Sequence, residues 1–140
     1  MAMVHSKKLV LKNNIKDIEK LNETVEAFLK EGIIPEEDFF NINLALEEVF
    51  TNISSYGFKD GREHIIEINF IIDEKGIEIT VTDDGSEFDP LAVPDPDLNT
   101  PAEEREIGGL GIYLVKKLMD DVSYEHENGL NKLSIIKKFK

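Results

Sequence analysis

The sequence predicts an α+β domain: a two-layer sandwich in which a mixed, mostly antiparallel sheet is covered on one face by about three helices. Three observations carry this. Two runs of apolar alternation at every second residue, Ile66–Ile72 and Ile77–Val81, are joined by the short turn Asp73-Glu74-Lys75-Gly76, which suits antiparallel neighbours. Three- and four-residue apolar spacings fall in grouped segments between strands instead of alternating with them one for one. The length of 140 residues suits one domain, residues 1–140, with one core.

Taken in order, KKLVLK (Lys7 to Lys12) reads as a short strand broken by Asn13-Asn14. Ile15, Ile18, Leu21, Val25, Phe28 and Leu29 mark one amphipathic helix that Gly32 ends. Pro35 opens a second helix, where its missing amide donor costs nothing. That helix runs to Ser55 with an apolar stripe of Phe39, Ile42, Leu46, Val49 and Ile53, and Tyr56-Gly57 caps it. In the two alternating strands Ile66, Ile68, Phe70 and Ile72, then Ile77, Ile79 and Val81, point inward, and the second strand delivers Asp83 to its end.

A long connection, Ser86 to Gly108, follows. Connections beyond about 12 to 15 residues are uncommon in compact domains and tend to be lids or binding loops. Phe88-Asp89-Pro90 is expected to anchor its start, with Phe88 packed down. A helix over 109–119 then buries Leu110, Leu114, Val115 and Leu118. Val122 to His126 and Lys132 to Phe139 are strands joined by an Asn128-Gly129 turn.

Composition narrows the function classes. With 29 acidic against 16 basic residues the formal charge is -13, which repels a phosphate backbone and argues against a nucleic acid partner. There is no cysteine, so disulfides and thiolate metal sites are excluded. No apolar run approaches the roughly 20 residues of a membrane span, and no secretory leader pattern opens the chain. The expectation is a soluble cytoplasmic protein without a membrane partner.

Glu48 and Asn52 stand four apart on the second helix, on one face, roughly opposite the apolar stripe. Such a pair is either an ordinary solvated face or a source of hard oxygen ligands. The Asn oxygen suits Mg²⁺, which shares its shell with water and phosphates. Glu48 beside a γ-phosphate could take the proton of an attacking hydroxyl. Asp83 at a strand end can accept a hydrogen bond from an exocyclic amino group such as that of adenine, with Gly85 admitting the ring; the competing reading is a type I′ turn built on Asp84-Gly85.

Gly108, Gly109 and Gly111 precede or open a helix, whose free amides and dipole favour phosphate, although glycines there also serve helix entry and packing. Arg105 is placed either to meet a terminal phosphate when the loop closes or to pair with Glu103, Glu104 or Glu106. His5, His64 and His126 lack partners at metal-ligand spacing and receive no role, and none sits in a helix suited to accept phosphate.

The stretches LALEEVFTNISSYGF, VTDDGSEFDP, GGLGIYLVKKLMDDVSY and GLNKLSIIKKF, in this order, resemble the N box, G1 box, G2 box and last strand of the GHKL (Bergerat) ATPase fold. The resemblance is most specific to the stand-alone bacterial serine/threonine kinases that act as anti-sigma factors (the RsbW type). It implies that Glu48 is the general base, Asn52 the Mg²⁺ ligand and Asp83, with Gly85, the adenine reader. Gly108, Gly109, Leu110 and Gly111 would form the phosphate side at the end of an ATP lid over 86–108. Arg105 resembles a γ-phosphate-sensing lid arginine, standing slightly farther from the glycines than the family spacing.

The resemblance further implies ATP and Mg²⁺ as cofactors, an anti-anti-sigma (STAS) protein as substrate, a sigma factor as partner, and a homodimer. A second reading is a regulatory module that binds a protein partner according to nucleotide state without phosphoryl transfer.

Overall fold

The computed structural model describes residues 4–56, 58, 60–92 and 109–139. Strand β1 (His5–Lys12) leads through a 3-10 turn (Ile15–Asp17) to α1 (Ile18–Lys30) and α2 (Glu36–Tyr56). Strands β2 (Ile65–Ile72) and β3 (Gly76–Asp83) form a hairpin; after a 3-10 turn at Pro90–Ala92 come α3 (Gly109–Leu118), β4 (Asp121–Glu127) and β5 (Leu130–Lys138). The sheet runs β1-β2-β3-β5-β4. Among the described residues all four pairings are antiparallel, so the sheet they form is not mixed.

Alternation fixes the register. Ile66, Ile68, Phe70 and Ile72 are each at most 1% exposed. A slip of one residue would turn all four outward, at a cost of about 1.5–3 kcal/mol for each side chain. The turns agree with that register. Asp73 Oδ1 accepts from the amides of Lys75 (2.8 Å) and Gly76 (3.1 Å). Asn128 and Gly129 take φ of 56° and 78°, the paired positive angles of a type I′ turn whose twist matches its strands.

The helices cover the face carrying these isoleucines. From α1, Leu21, Val25 and Phe28 enter the core, and Phe28 meets Phe70 edge-on at 5.3 Å between ring centroids. Ile15, counted in that helix's stripe from its spacing, lies in the preceding 3-10 turn and is exposed, because the helix begins only at Ile18. From α2 the buried apolar residues are Ile42, Ala45, Leu46, Val49 and Phe50, while Phe39 and Ile53 pack at the edge.

The phase of α3 differs from the expected one. Ile112, Val115 and Met119 are buried, whereas Leu114 and Leu118 are half-buried. Residues three and seven apart share one helical face, and the contact with α2 rotates that face onto the core. Strand ends also extend beyond the alternation: β1 begins at His5, β2 at Ile65 and β5 at Leu130. The last shift has a functional consequence, since it brings Asn131 into the sheet beside Asp83.

Candidate active site

Antiparallel pairing of β3 with β5 sets Asp83 opposite Asn131 at one end of the sheet, and α2 and α3 meet above that end. Between them lies a cleft of about 490 Å³ of empty space, counted with its open mouth. Its walls are apolar: Val49 and Ile53 from α2, Ile112 from α3 and Leu133 from β5. Asn52, Asp83, Tyr124 and Asn131 supply polar groups, and Ser86, Phe88 and Pro90 form the rim. A concave, mainly apolar site with a few convergent polar groups is what a planar organic ligand requires.

Asp83 is 6% exposed. Its Oδ1 accepts from the Gly85 amide at 2.8 Å and from Asn131 Nδ2 at 3.1 Å. Burial pushes its carboxyl above the ordinary value; the bonds from Asn131 and Gly85 pull against that rise and the charge of Asp84 adds to it. Both bonds fall on one oxygen, so Oδ2 has no partner among the described residues. The Asp84-Gly85 step is not a type I′ turn, because neither residue takes a positive φ. The bond from the Gly85 amide back to Asp83 makes an Asx turn instead, and that turn holds the carboxylate.

Glu48 and Asn52 are half-buried on α2. They do not point away from the core into solvent, because α3 packs along α2 and closes over them. A Cβ built on Gly111 would stand 2.5 Å from Glu48 Oε2, so the first turn of α3 comes this close to the carboxylate only because residue 111 is glycine. Gly109 and Leu110 lie in that same first turn. Asn52 and Asp83 border one cleft, from α2 and from the end of β3. Gly108 and Arg105 lie outside the described residues, as does most of the 86–108 segment.

Phe88 does not anchor the loop. It is 52% exposed at the rim, and Pro90 is the buried residue, because Pro90 opens a 3-10 turn tied by the bond from the Ala92 amide to the Asp89 carbonyl at 3.2 Å.

Two features escaped the periodicity. Asn131 is 8% exposed and donates Nδ2 to Asp83 Oδ1, to the Gly85 carbonyl (3.1 Å) and to the Ser86 carbonyl (3.0 Å). Its one signal was parity: it shares the inward register of Leu133 and Ile135, where a polar residue is out of place. His64 was assigned no role, yet its ring stacks on Phe58 at 4.4 Å, Nε2 meets the Asp60 carboxylate at 2.8 Å and Nδ1 meets Asp84 Oδ1 at 3.0 Å. Its basicity is raised, chiefly by the bond to Asp60. That cluster joins the segment after α2 to the residue that follows Asp83, and nothing local in the sequence announces it.

The chain is similar to several known proteins. Residues 11–137 match the family described as histidine kinase-like ATPase domain. The serine-protein kinase RsbW of Listeria monocytogenes serovar 1/2a is 32% identical over 95 residues, covering 65% of this chain and 60% of that protein. The serine-protein kinase RsbW of Bacillus cereus (strain ATCC 10987) is 35% identical over 101 residues, covering 69% and 62%. The matched region thus spans about three-fifths of these curated relatives. A crystal structure of the RsbU and RsbW domains of a Mycobacterium tuberculosis protein superposes with a TM-score of 0.62 over 95% of this chain and 32% of that one, at 12% identity, which is a likeness of fold.

Proposed function

The chain belongs to the histidine kinase-like ATPase domain family, and from that premise we propose that it is an ATP-dependent protein serine/threonine kinase and anti-sigma factor. Its substrate is an anti-anti-sigma protein of the STAS type and its second partner a sigma factor. The observation that carries the reading is the juxtaposition of Glu48 with the first turn of α3, while Asn52 and Asp83 border the adjoining cleft. The naming of the Listeria and Bacillus relatives as serine-protein kinases supports it.

The residues present fit the nucleotide. Asp83 Oδ2 accepts the exocyclic amino group of adenine, and Val49, Ile53, Ile112 and Leu133 take the ring faces out of water. Amides of the first turn of α3, at Gly109, Leu110 and Gly111, face phosphate with the favourable end of the helix dipole. Gly108 and Arg105 belong to the same phosphate side in this proposal. Asn52 would hold Mg²⁺ through its amide oxygen, and the ion would supply positive charge to offset that of the phosphates. Bound ATP supplies the phosphoryl group and a leaving group in line with it.

Glu48 then has one task. It holds the acceptor hydroxyl and takes its proton as the oxygen–phosphorus bond forms and the bond to the β–γ bridging oxygen breaks, with ADP leaving. Dimerisation and a cytoplasmic location are part of the same proposal.

Incubation with Mg-ATP and a panel of STAS-domain proteins, read by intact mass, tests transfer and target together. A gain of one phosphate on a serine or threonine of one STAS protein is expected, with Glu48→Gln slower by about 10²–10⁴. No transfer to any of them, or equal transfer by Glu48→Gln, overturns the kinase reading.

A further inference from the structure

Asn131 is held in one orientation by partners on both ends of its amide. The Tyr124 hydroxyl donates to Asn131 Oδ1 at 2.6 Å. With Oδ1 so engaged, Nδ2 must be the group facing Asp83 Oδ1, the Gly85 carbonyl and the Ser86 carbonyl, all within 3.1 Å. A flipped amide would set an oxygen against three oxygens, so these acceptors fix the amide, and the Tyr124 hydroxyl, able to donate or accept, donates to Oδ1.

Two consequences follow for the base. Asp83 Oδ1 is filled by Gly85 and Asn131, so the carboxylate cannot rotate and offers Oδ2 alone. The carbonyls of Gly85 and Ser86 are tied to β5 through the same nitrogen, so the chain leaving Asp83 cannot swing to bring other donors or acceptors to that oxygen.

Resting on the reading that the cleft takes ATP, we propose that Asn131, locked by Tyr124, is the positioning residue that selects a purine carrying an amino group at its 6-position. A fixed, hydrogen-bonded carboxylate rewards a donor with a charge-assisted bond and opposes the lone pair of a 6-oxo purine. Freed from Asn131, the same carboxylate can turn or take up a proton and tolerate either base. Sites built to hydrogen-bond one group reject its analogue far more strongly than apolar pockets do.

Equilibrium binding of ATP and of inosine triphosphate to the full chain, to Asn131→Ala and to Tyr124→Phe tests this. The two nucleotides differ at the 6-position and in the hydrogen on N1, so their affinity ratio isolates base reading from phosphate binding and from general loss of structure. The wild type should favour ATP by at least about 100-fold. Asn131→Ala should lose about tenfold or more of that ratio, and Tyr124→Phe, which keeps the ring and the fold, about threefold. Variants that weaken both nucleotides in equal proportion, or a wild type that binds ATP and inosine triphosphate alike, overturn the role of Asn131. A wild type that binds neither nucleotide overturns the ATP reading itself, and this proposal with it.

Discussion

Glu48 and Gly111 divide one space between them: Glu48 Oε2 lies 2.5 Å from where a side chain at position 111 would begin. The obstructing atom is the end of a flexible side chain, so Gly111→Ala costs the fold little and displaces the carboxylate. Alanine is also preferred in helices by up to about 1 kcal/mol. Thermal unfolding of Gly111→Ala should therefore match or exceed the wild type, while phosphoryl transfer falls at least about tenfold. Wild-type transfer by this variant would show that the carboxylate need not occupy this position.

Asp83 should trade stability for binding. Its folded-state carboxyl is raised above the ordinary 3.8 by burial. Its contribution to stability is therefore fully present below that value and is lost as pH rises through the raised one. Asp83→Asn keeps an acceptor for Gly85 and Asn131, removes the ionisation and puts a donor toward the incoming amino group. Relative to this variant the wild type should lose stability as pH rises above about 4, while the variant binds ATP at least about tenfold more weakly at pH 7. Parallel denaturation curves over that range would contradict the desolvated carboxylate.

His64 gives a slope of the same sign at higher pH. Its folded-state value is raised above 6.5 by Asp60, with Asp84 adding to the effect. Its stabilisation is full below about pH 6.5 and fades as pH rises through the raised value. Asp60 is lowered below 3.8, first by the Arg62 amide and then by His64, so its share is present above that value and fades as pH falls through the lowered one. Denaturant titrations of wild type and His64→Gln should therefore diverge most between about pH 4 and 6.5 and converge at alkaline pH. Curves that stay parallel throughout would mean that the exposed pair contributes nothing.

Phe28 tests the helix layer. It is 7% exposed and meets Phe70 edge-on, so Phe28→Ala removes a ring from the seam between α1 and β2. Equilibrium unfolding should show a loss of about 3–5 kcal/mol. A loss under about 1 kcal/mol would mean that the site collapses around the truncation.

What the sequence determined by itself was whatever local periodicity and turn chemistry report. The alternation through Ile66–Ile72 and Ile77–Val81, the turns at Asp73–Gly76 and Asn128-Gly129 and the element order were all legible. So were the placing of Glu48 and Asn52 on one helix face and of Asp83 at a strand end, because the spacing of four on a helix and the end of a strand are local facts. Tertiary structure decided the rest. Insertion of β5 between β3 and β4 is a pairing across 48 residues, and it alone puts Asn131 against Asp83. Packing of α3 on α2 rotated Ile112 and Met119 inward and set Gly111 against Glu48. The segment after α2 folded back to give His64 two carboxylates. Such contacts are chosen by which surfaces bury the most apolar area together, and spacing along one chain does not encode that choice.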